Sequence, residues 1–334
     1  MKFNIKYSKF SNLFFFASNL SEWSQYCRKE YNGLWLKESP LSEKEISLLN
    51  KLKEILKKYK ISNLILSSLT EDEALEKIKD IINSEDILII KECLGVLEKR
   101  FGNLWKEEEK NLFLIKQEIE KTLDVSKKIF DDIQTLYGIK QMPQSIDIFL
   151  FTNPIVKRSV NGGGGLGENQ ISIECSKITG ENNKNKMLER VMIHEIVHVS
   201  FESKLKEKIK EFLKSNRFSD EYEDKIIKTS VFHQANSIIG TLKEMILVSL
   251  IPEGYLAEKF FDLNVLDNLR ERKCIKERTL EKNYYDLMLY AVYKLYPFAK
   301  KYCENKKEIY NDFIENAVKC WLEFEEIDLS KLKI

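Results

Sequence analysis

The apolar positions of this chain follow a helical period over most of its length. Between residues 41 and 137 they recur at intervals of three and four, as at Leu49, Leu52 and Ile55, which is the spacing of one face of an α-helix. Lysine and glutamate crowd the other faces, and no proline interrupts the pattern. The pattern predicts an N-terminal bundle of several helices.

Alternation of apolar and polar residues, which is typical of β-strands, replaces the helical period in the middle of the chain. It covers residues 146–150 and 170–175 and predicts two strands, and a further short strand is expected at residues 3–7. The glycine-rich run 161–167 predicts a hairpin turn, because glycine adopts turn conformations at little steric cost. The aromatic residues 14–16 fit neither pattern and leave their segment undefined.

From residue 186 to the end the helical period returns, with Pro252 and Pro297 as the expected breaks. The fold class predicted from these patterns is α+β and mostly helical. Residues 1–140 are expected to form a mainly helical N-terminal domain, and residues 141–334 a second domain with a small β-sheet and a helical C-terminal part.

Composition and charge narrow the function classes. Hydrophobic residues make up 43% of the chain and charged residues 32%, as in an ordinary globular protein. The 54 basic and 53 acidic side chains nearly cancel, whereas a nucleic-acid-binding protein usually carries a basic excess. No segment approaches the roughly twenty apolar residues that cross a bilayer, and the apolar run Leu13–Ala17 is too short for a signal peptide. We therefore expect a cytoplasmic protein, monomeric by default, with no nucleic-acid or membrane partner.

The strongest chemical signal lies in residues 191–199, which are Val-Met-Ile-His-Glu-Ile-Val-His-Val. His194 and His198 stand one helical turn apart on one face, so both imidazoles can reach one metal ion, and zinc suits them. Glu195 is displaced by about 100° around the helix, which suits a general base acting on a metal-bound water. The flanking residues are apolar and predict a buried helix, in which these polar groups need partners.

This segment resembles the active-site helix of the zincin metallopeptidases, which carry the motif HExxH. Val191 is the small or β-branched residue expected three places before the first histidine, whereas Ser200 departs from the usual hydrophobic residue. The resemblance implies a zincin-like catalytic domain with its active-site helix at about residues 185–203. It also implies one zinc ion per chain and the hydrolysis of a peptide or protein substrate.

The third metal ligand defines the subfamily. The metzincin pattern is excluded because Phe201 and Lys204 stand where a glycine and a third histidine are required. Glu202 continues the spacing of four residues, but it lies two helical turns from His194, too far along the axis to share the ion.

Gluzincins take a glutamate from a second helix downstream, and Glu244 matches this position best, in an otherwise strongly apolar segment. The resemblance thus implies Glu244 as the third ligand, with Glu253 and Glu258 as weaker candidates. Thermolysin-like enzymes carry an aspartate four residues after this glutamate, where this chain has Val248. The hydrogen-bond partner of the metal-binding histidines is therefore not identified from the sequence.

The remaining histidine, His233, has three interpretations: a third ligand, a donor that stabilises the oxyanion of the reaction, or an ordinary residue. We place it with Glu195 in the catalytic set, as the oxyanion donor. The alternatives for this role are four tyrosines, at positions 255, 284, 285 and 290.

The resulting hypothesis is a gluzincin-like zinc peptidase, in which residues 170–175 form an edge strand that pairs with an extended substrate. The rival hypothesis is a non-catalytic helical interaction protein that retains a zincin-like fold. Metal content distinguishes the two, because only the enzyme requires one equivalent of zinc.

Overall fold

A computed structural model describes residues 1–37, 39–155, 160–176, 182–216, 237–271 and 284–324. These residues are mostly helical and contain one small β-sheet, which confirms the α+β class. The strands are β1 (Lys2–Lys6), β2 (Ser145–Thr152), β3 (Val160–Gly167) and β4 (Gln170–Cys175). The described helices are α1 (Lys9–Leu20), α2 (Lys29–Trp35), α3 (Glu43–Tyr59), α4 (Ser62–Leu66), α5 (Glu71–Ile78), α6 (Ser84–Tyr137), α7 (Asn182–Ser200), α8 (Glu202–Ser215), α9 (Ile238–Leu250), α10 (Tyr255–Phe261), α11 (Val265–Glu271), α12 (Tyr284–Glu304) and α13 (Asn311–Phe324).

The chain forms two compact units, each built from two stretches of sequence. Unit 1 comprises residues 1–122 and 143–188, and unit 2 comprises residues 123–142 and 189–334. The sheet lies in unit 1, together with the N-terminal helices. The division of the chain into domains 1–140 and 141–334 stays a prediction. None of the helices in the described part of the chain combines the length and the apolar character that a membrane crossing demands.

The sheet of unit 1 is mixed and has the strand order β1-β2-β4-β3. β1 and β2 are parallel, β2 and β4 are parallel, and β3 pairs with β4 in the antiparallel direction. The strands predicted at residues 3–7, 146–150 and 170–175 are present. The prediction that residues 170–175 form an edge strand is wrong, because β4 is hydrogen-bonded on both sides, to β2 and to β3.

The glycine-rich run is a strand, so the prediction of a turn at residues 161–167 is also wrong. The turn of the hairpin lies at Glu168 and Asn169, and Asn169 takes the left-handed conformation with φ 54°. The glycines belong to β3, whose register with β4 shifts twice along its length. At Gly162 a side chain would meet the Arg28 guanidinium, since a Cβ atom there would lie 2.5 Å from Nη2. A side chain at this position would therefore displace the end of the Arg28 side chain.

The aromatic segment 14–16, whose structure the hydrophobic pattern does not predict, belongs to α1. Most residues of this helix are buried, polar ones included, so its sequence lacks the one-sided apolar pattern that marks a surface helix. Asn12 shows why polar residues are tolerated there. Its side-chain amide donates to the Leu150 carbonyl at 3.1 Å and accepts from the Thr152 amide at 2.9 Å, which joins α1 to the end of β2.

The predicted helices between residues 41 and 137 are present as α3 to α6. At the start of α3, Ser42 and Glu45 form a capping box, in which each side chain binds the other residue's backbone amide. The Glu45 carboxylate also accepts two hydrogen bonds of 3.0 Å from the Arg100 guanidinium on α6. The cap of one helix is thereby attached to a second helix.

The described helices of unit 2 pack around α9 and α12. α9 ends at Leu250, two residues before Pro252, where a break is predicted. The break predicted at Pro297 does not occur, because α12 continues through it to Glu304. Pro297 lies on the exposed face of α12, where solvent can replace the lost backbone hydrogen bond, while Tyr296 on the neighbouring position is buried.

Candidate metal centre

The helix that carries the two histidines is α7, and it is held by apolar side chains on several faces. Met192, Ile193, Ile196 and Val197 are fully buried, which fixes the rotation of the helix around its axis. The helix predicted at about residues 185–203 is present, and it ends earlier than predicted, at Ser200.

The end of α7 is marked by Phe201, whose backbone, with φ −126° and ψ −15°, leaves the helical conformation. Its ring is fully buried and stacks on Phe130 of α6, with ring centroids 5.6 Å apart. A new helix, α8, begins directly after it at Glu202. His198 and Glu202 stand four residues apart, and their side chains meet across this junction.

The second helix of the site, α9, is capped by Ser237, whose hydroxyl accepts a hydrogen bond of 3.0 Å from the Gly240 amide. The helix is apolar, and the residues that follow Glu244, Met245 to Leu247, are fully buried. The Glu244 side chain retains 16% of its exposure. A carboxylate in these surroundings requires charged or hydrogen-bonding partners.

Its partners are the two histidines of α7. Glu244 Oε1 lies 3.3 Å from His194 Nε2, and Glu244 Oε2 lies 3.0 Å from His198 Nε2. The two Nε2 atoms are 2.9 Å apart. All three side chains thus direct a potential ligand atom to one place, and these atoms lie within 4.8 Å of one another.

The Nδ1 atoms, on the side of each histidine ring that points away from the triad, also have hydrogen-bond partners. Nδ1 of His194 lies 3.1 Å from the backbone carbonyl of Ile251, just beyond the end of α9. Nδ1 of His198 lies 2.6 Å from Oε1 of Glu202. An acceptor at Nδ1 places the hydrogen there and turns the lone pair of a neutral imidazole toward Nε2. Both rings are therefore oriented as metal ligands are.

Two further side chains support this arrangement. Lys243, the residue before Glu244, forms an ion pair with Oε2 of Glu202. Arg190, one turn before His194 on α7, donates to the carbonyl of Pro252 at 2.7 Å. α9 is thus tied to α7 and α8 at two places, beside Glu244 and at its C-terminal end.

The electrostatics of the triad follow from these contacts. Burial by itself lowers the pKa of His198, but the hydrogen bonds and charges of Glu202 and Glu244 outweigh it and raise the pKa to about 10. The pKa of His194 is also raised against the effect of burial, mainly by Glu244. Burial raises the pKa of Glu244, yet the two histidines lower it well below its usual range. The cluster therefore holds an ionised carboxylate that strongly favours positive charge on its neighbours.

The donor set fits a zinc ion. Two imidazole nitrogens and one carboxylate oxygen are a known ligand set of catalytic zinc, which leaves a fourth position for water. In a tetrahedral site with metal–ligand distances near 2.1 Å, neighbouring ligand atoms are about 3.4 Å apart. Each Nε2 atom has one oxygen of Glu244 near that distance, Oε1 at 3.3 Å from His194 and Oε2 at 3.0 Å from His198, and the two Nε2 atoms are 2.9 Å apart.

The structure brings together three of the five predicted site residues, His194, His198 and Glu244. Glu195 follows His194 on α7, is half-buried, and contributes with its negative charge to the raised pKa of His194. His233 lies outside the described residues. Its roles as oxyanion donor or ligand stay predictions.

Three other candidates for these roles, Glu258, Tyr255 and Tyr290, have partners away from the triad. Glu258 accepts from the Tyr296 hydroxyl and, at 3.0 Å, from the Val265 amide. The Tyr255 hydroxyl donates to Glu304 at 3.4 Å. The Tyr290 hydroxyl is a hydrogen-bond partner of Lys294 and Glu323 (the Tyr284 side chain lies outside the described residues).

Sequence reasoning missed Glu202, Lys243 and the Ile251 carbonyl. A signal for Glu202 was present, because it stands four residues after His198, the spacing at which side chains on a helix meet. The partner of Glu202 and the carbonyl depend on the packing of α9 against α7 and α8, which leaves no local pattern in the sequence.

Comparison of the chain with protein-family models, with curated proteins and with solved structures yields no match. The function of the protein must therefore be inferred from the residues of the site.

Proposed function

We propose that the protein is a zinc-dependent metallopeptidase of the gluzincin type, a hydrolase with a zincin-like catalytic domain. His194, His198 and Glu244 hold the ion, and Glu195 is the general base. The observation that carries the proposal is the convergence of two Nε2 atoms and one carboxylate, from two helices, within 4.8 Å of one another. Glu195 occupies the position after the first histidine, as in the motif HExxH.

When bound, zinc would polarise the scissile carbonyl and lower the pKa of a water molecule to near 7. Residues of the chain orient the two imidazoles and transfer the proton. The Ile251 carbonyl and Glu202 hold the hydrogens of the two imidazoles on Nδ1, so that both Nε2 atoms face Glu244. Glu195 takes a proton from the attacking water and passes it to the leaving amine.

The proposal includes a peptide or protein substrate and one zinc ion per chain. The near balance of 54 basic and 53 acidic side chains supports a partner other than nucleic acid. A monomeric state and a cytoplasmic location stay predictions from the sequence.

The experiment that tests this function compares the wild type with Glu195→Gln. The substitution keeps the size of the side chain and removes the base, so zinc remains bound while peptide hydrolysis falls by about 10²- to 10⁴-fold. Zinc content is measured by mass spectrometry of the purified protein. Hydrolysis is measured on a diverse peptide pool, with cleavage sites mapped from the products.

The control is Glu207→Gln, the same chemical change at an exposed position of α8. It should retain both zinc and activity. Hydrolysis by Glu195→Gln at the wild-type rate would overturn the mechanism. A wild-type protein that binds one zinc ion and cleaves no peptide of the pool would favour the non-catalytic interaction protein instead.

A further inference from the structure

We infer that Glu202 and Lys243 are positioning residues of the metal centre, which together set the orientation of His198 and the distance between α8 and the helix that carries Glu244. The inference rests on the proposed function, because it concerns the metal held by the triad. It assigns a role to a charged pair that the HExxH motif does not contain.

Glu202 contacts the imidazole of His198 directly. Nδ1 of His198 and Oε1 of Glu202 are 2.6 Å apart, and the Glu202 side chain is only 8% exposed. An ionised carboxylate has no hydrogen to donate, so Nδ1 must be the donor. The ring then presents the lone pair of Nε2, and it is Nε2 that lies 3.0 Å from Oε2 of Glu244.

Each carboxylate oxygen of Glu202 has its own partner. Oε1 accepts from His198, and Oε2 binds the ammonium group of Lys243. With different partners on its two oxygens, the carboxylate cannot rotate without losing one of them. A buried carboxylate without a countercharge would be costly, and Lys243 supplies that countercharge.

Lys243 and Glu244 are neighbours on α9. Successive residues of a helix point about 100° apart, and here one side chain binds Glu202 while the other faces the two histidines. Both nitrogens of the His198 ring are thus in contact with carboxylates, one from α8 and one from α9. The ion pair joins these two helices directly beside the ligand.

α7 ends at Ser200 and α8 begins at Glu202, so His198 and Glu202 lie on either side of the junction, four residues apart. Position 248, four residues after Glu244, is a valine that is only 7% exposed, so α9 offers no carboxylate there.

The test uses the full chain with Glu202→Gln, Lys243→Met and the double variant. Zinc affinity is measured by competition with a chromophoric chelator, and the geometry of the site from the visible spectrum of the cobalt-substituted protein. Glu202→Gln is expected to weaken zinc binding by about 10- to 100-fold and to change the cobalt spectrum. Lys243→Met should have a smaller effect of the same kind.

The double variant should bind zinc no more weakly than Glu202→Gln alone, because the two residues act as a unit. Lys208→Met is the matched control, since it removes another lysine of unit 2 from an ion pair, with Glu308, away from the triad. It should change neither the zinc affinity nor the spectrum. Glu202→Asp keeps the charge but shortens the side chain, and it should also weaken zinc binding if Glu202→Gln does not fold.

A merely structural pair would lower the thermal stability of the metal-free protein and leave the folded fraction with wild-type zinc affinity and spectrum. That result in the Glu202 variants would overturn the inference and leave the proposed function intact. A wild-type protein that binds zinc but hydrolyses no peptide would end the proposed function and leave the positioning role standing. A wild-type protein without zinc affinity would overturn both.

Discussion

Two carboxylates of this protein, Glu45 in unit 1 and Glu244 in unit 2, are largely buried and ionised, yet they have different kinds of neighbours. Glu45 accepts two hydrogen bonds of 3.0 Å from the Arg100 guanidinium and one of 2.7 Å from the Ser42 amide. Arg100 also donates to the carbonyls of Ser39 and Pro40. Donors and acceptors are matched in this cluster.

Glu244 instead faces Nε2 of His194 and Nε2 of His198, whose Nδ1 atoms are already paired with the Ile251 carbonyl and with Glu202. The triad gathers lone pairs of nitrogen and oxygen at one point, and a proton or a metal ion must hold them together. Burial of a carboxylate therefore does not reveal its role. A structural cluster completes its own hydrogen bonds, whereas a ligand cluster leaves acceptors that converge.

The largest effect is expected for Glu244→Ala. Zinc bound by four ligands contributes about 10–16 kcal/mol, so the loss of one ligand should cost about 3–4 kcal/mol, or about 10²- to 10³-fold in affinity. Chelator competition measures the change. Glu258→Ala is the control, because that carboxylate binds Tyr296 and the Val265 amide. Unchanged zinc affinity in Glu244→Ala would show that the converging geometry is not a ligand set.

A change of stability rather than of metal binding is expected for Glu45→Ala. Arg100 would then be left without its carboxylate, which should lower the free energy of unfolding by about 3 kcal/mol. Urea denaturation followed by circular dichroism measures this loss. The matched control is Glu92→Ala, which breaks an exposed pair with Lys44 and should cost under about 1 kcal/mol. If Glu45→Ala weakened zinc binding as strongly as Glu244→Ala, the two clusters would not differ as described.

The smallest effect is a change in the pH dependence of stability. Hydrogen bonds from Arg100 lower the pKa of the Glu45 carboxyl to about 2, whereas an unfolded chain has a glutamate pKa near about 4.3. The stabilisation by Glu45 is therefore complete above about pH 4.3 and is lost as the pH falls toward 2. Urea midpoints at several pH values should fall less steeply in Glu45→Gln than in the wild type. An equal slope in both proteins would contradict the assignment.

Features that depend on local spacing could be predicted from the sequence. His194 and His198 meet because they stand four residues apart on one helix, whatever else the chain does. The strand β4 followed from simple alternation. Glu244 required more than spacing, because only the resemblance to gluzincins singled it out among the carboxylates of the C-terminal half.

Features that depend on packing could not be predicted. The contact between His198 and Glu202 follows from their spacing of four residues, but the ion pair of Glu202 with Lys243 exists only because α9 packs beside α8. The glycine run predicts a turn because glycine favours turns, but its place in the sheet depends on pairing with β4, which its own sequence does not encode. Pro297 was expected to end a helix, but its exposed position in α12 tolerates the lost hydrogen bond.

The contacts made by Arg190 and His194 affect how mutational data on this protein are to be interpreted. Both side chains bind main-chain carbonyls, those of Pro252 and Ile251. Every residue type offers such a carbonyl, so substitution at position 251 leaves this acceptor in place. Because the Ile251 side chain is fully buried, an alanine scan would report only lost packing there. The support of the His194 ring by this carbonyl would therefore not appear in a scan of side chains at position 251.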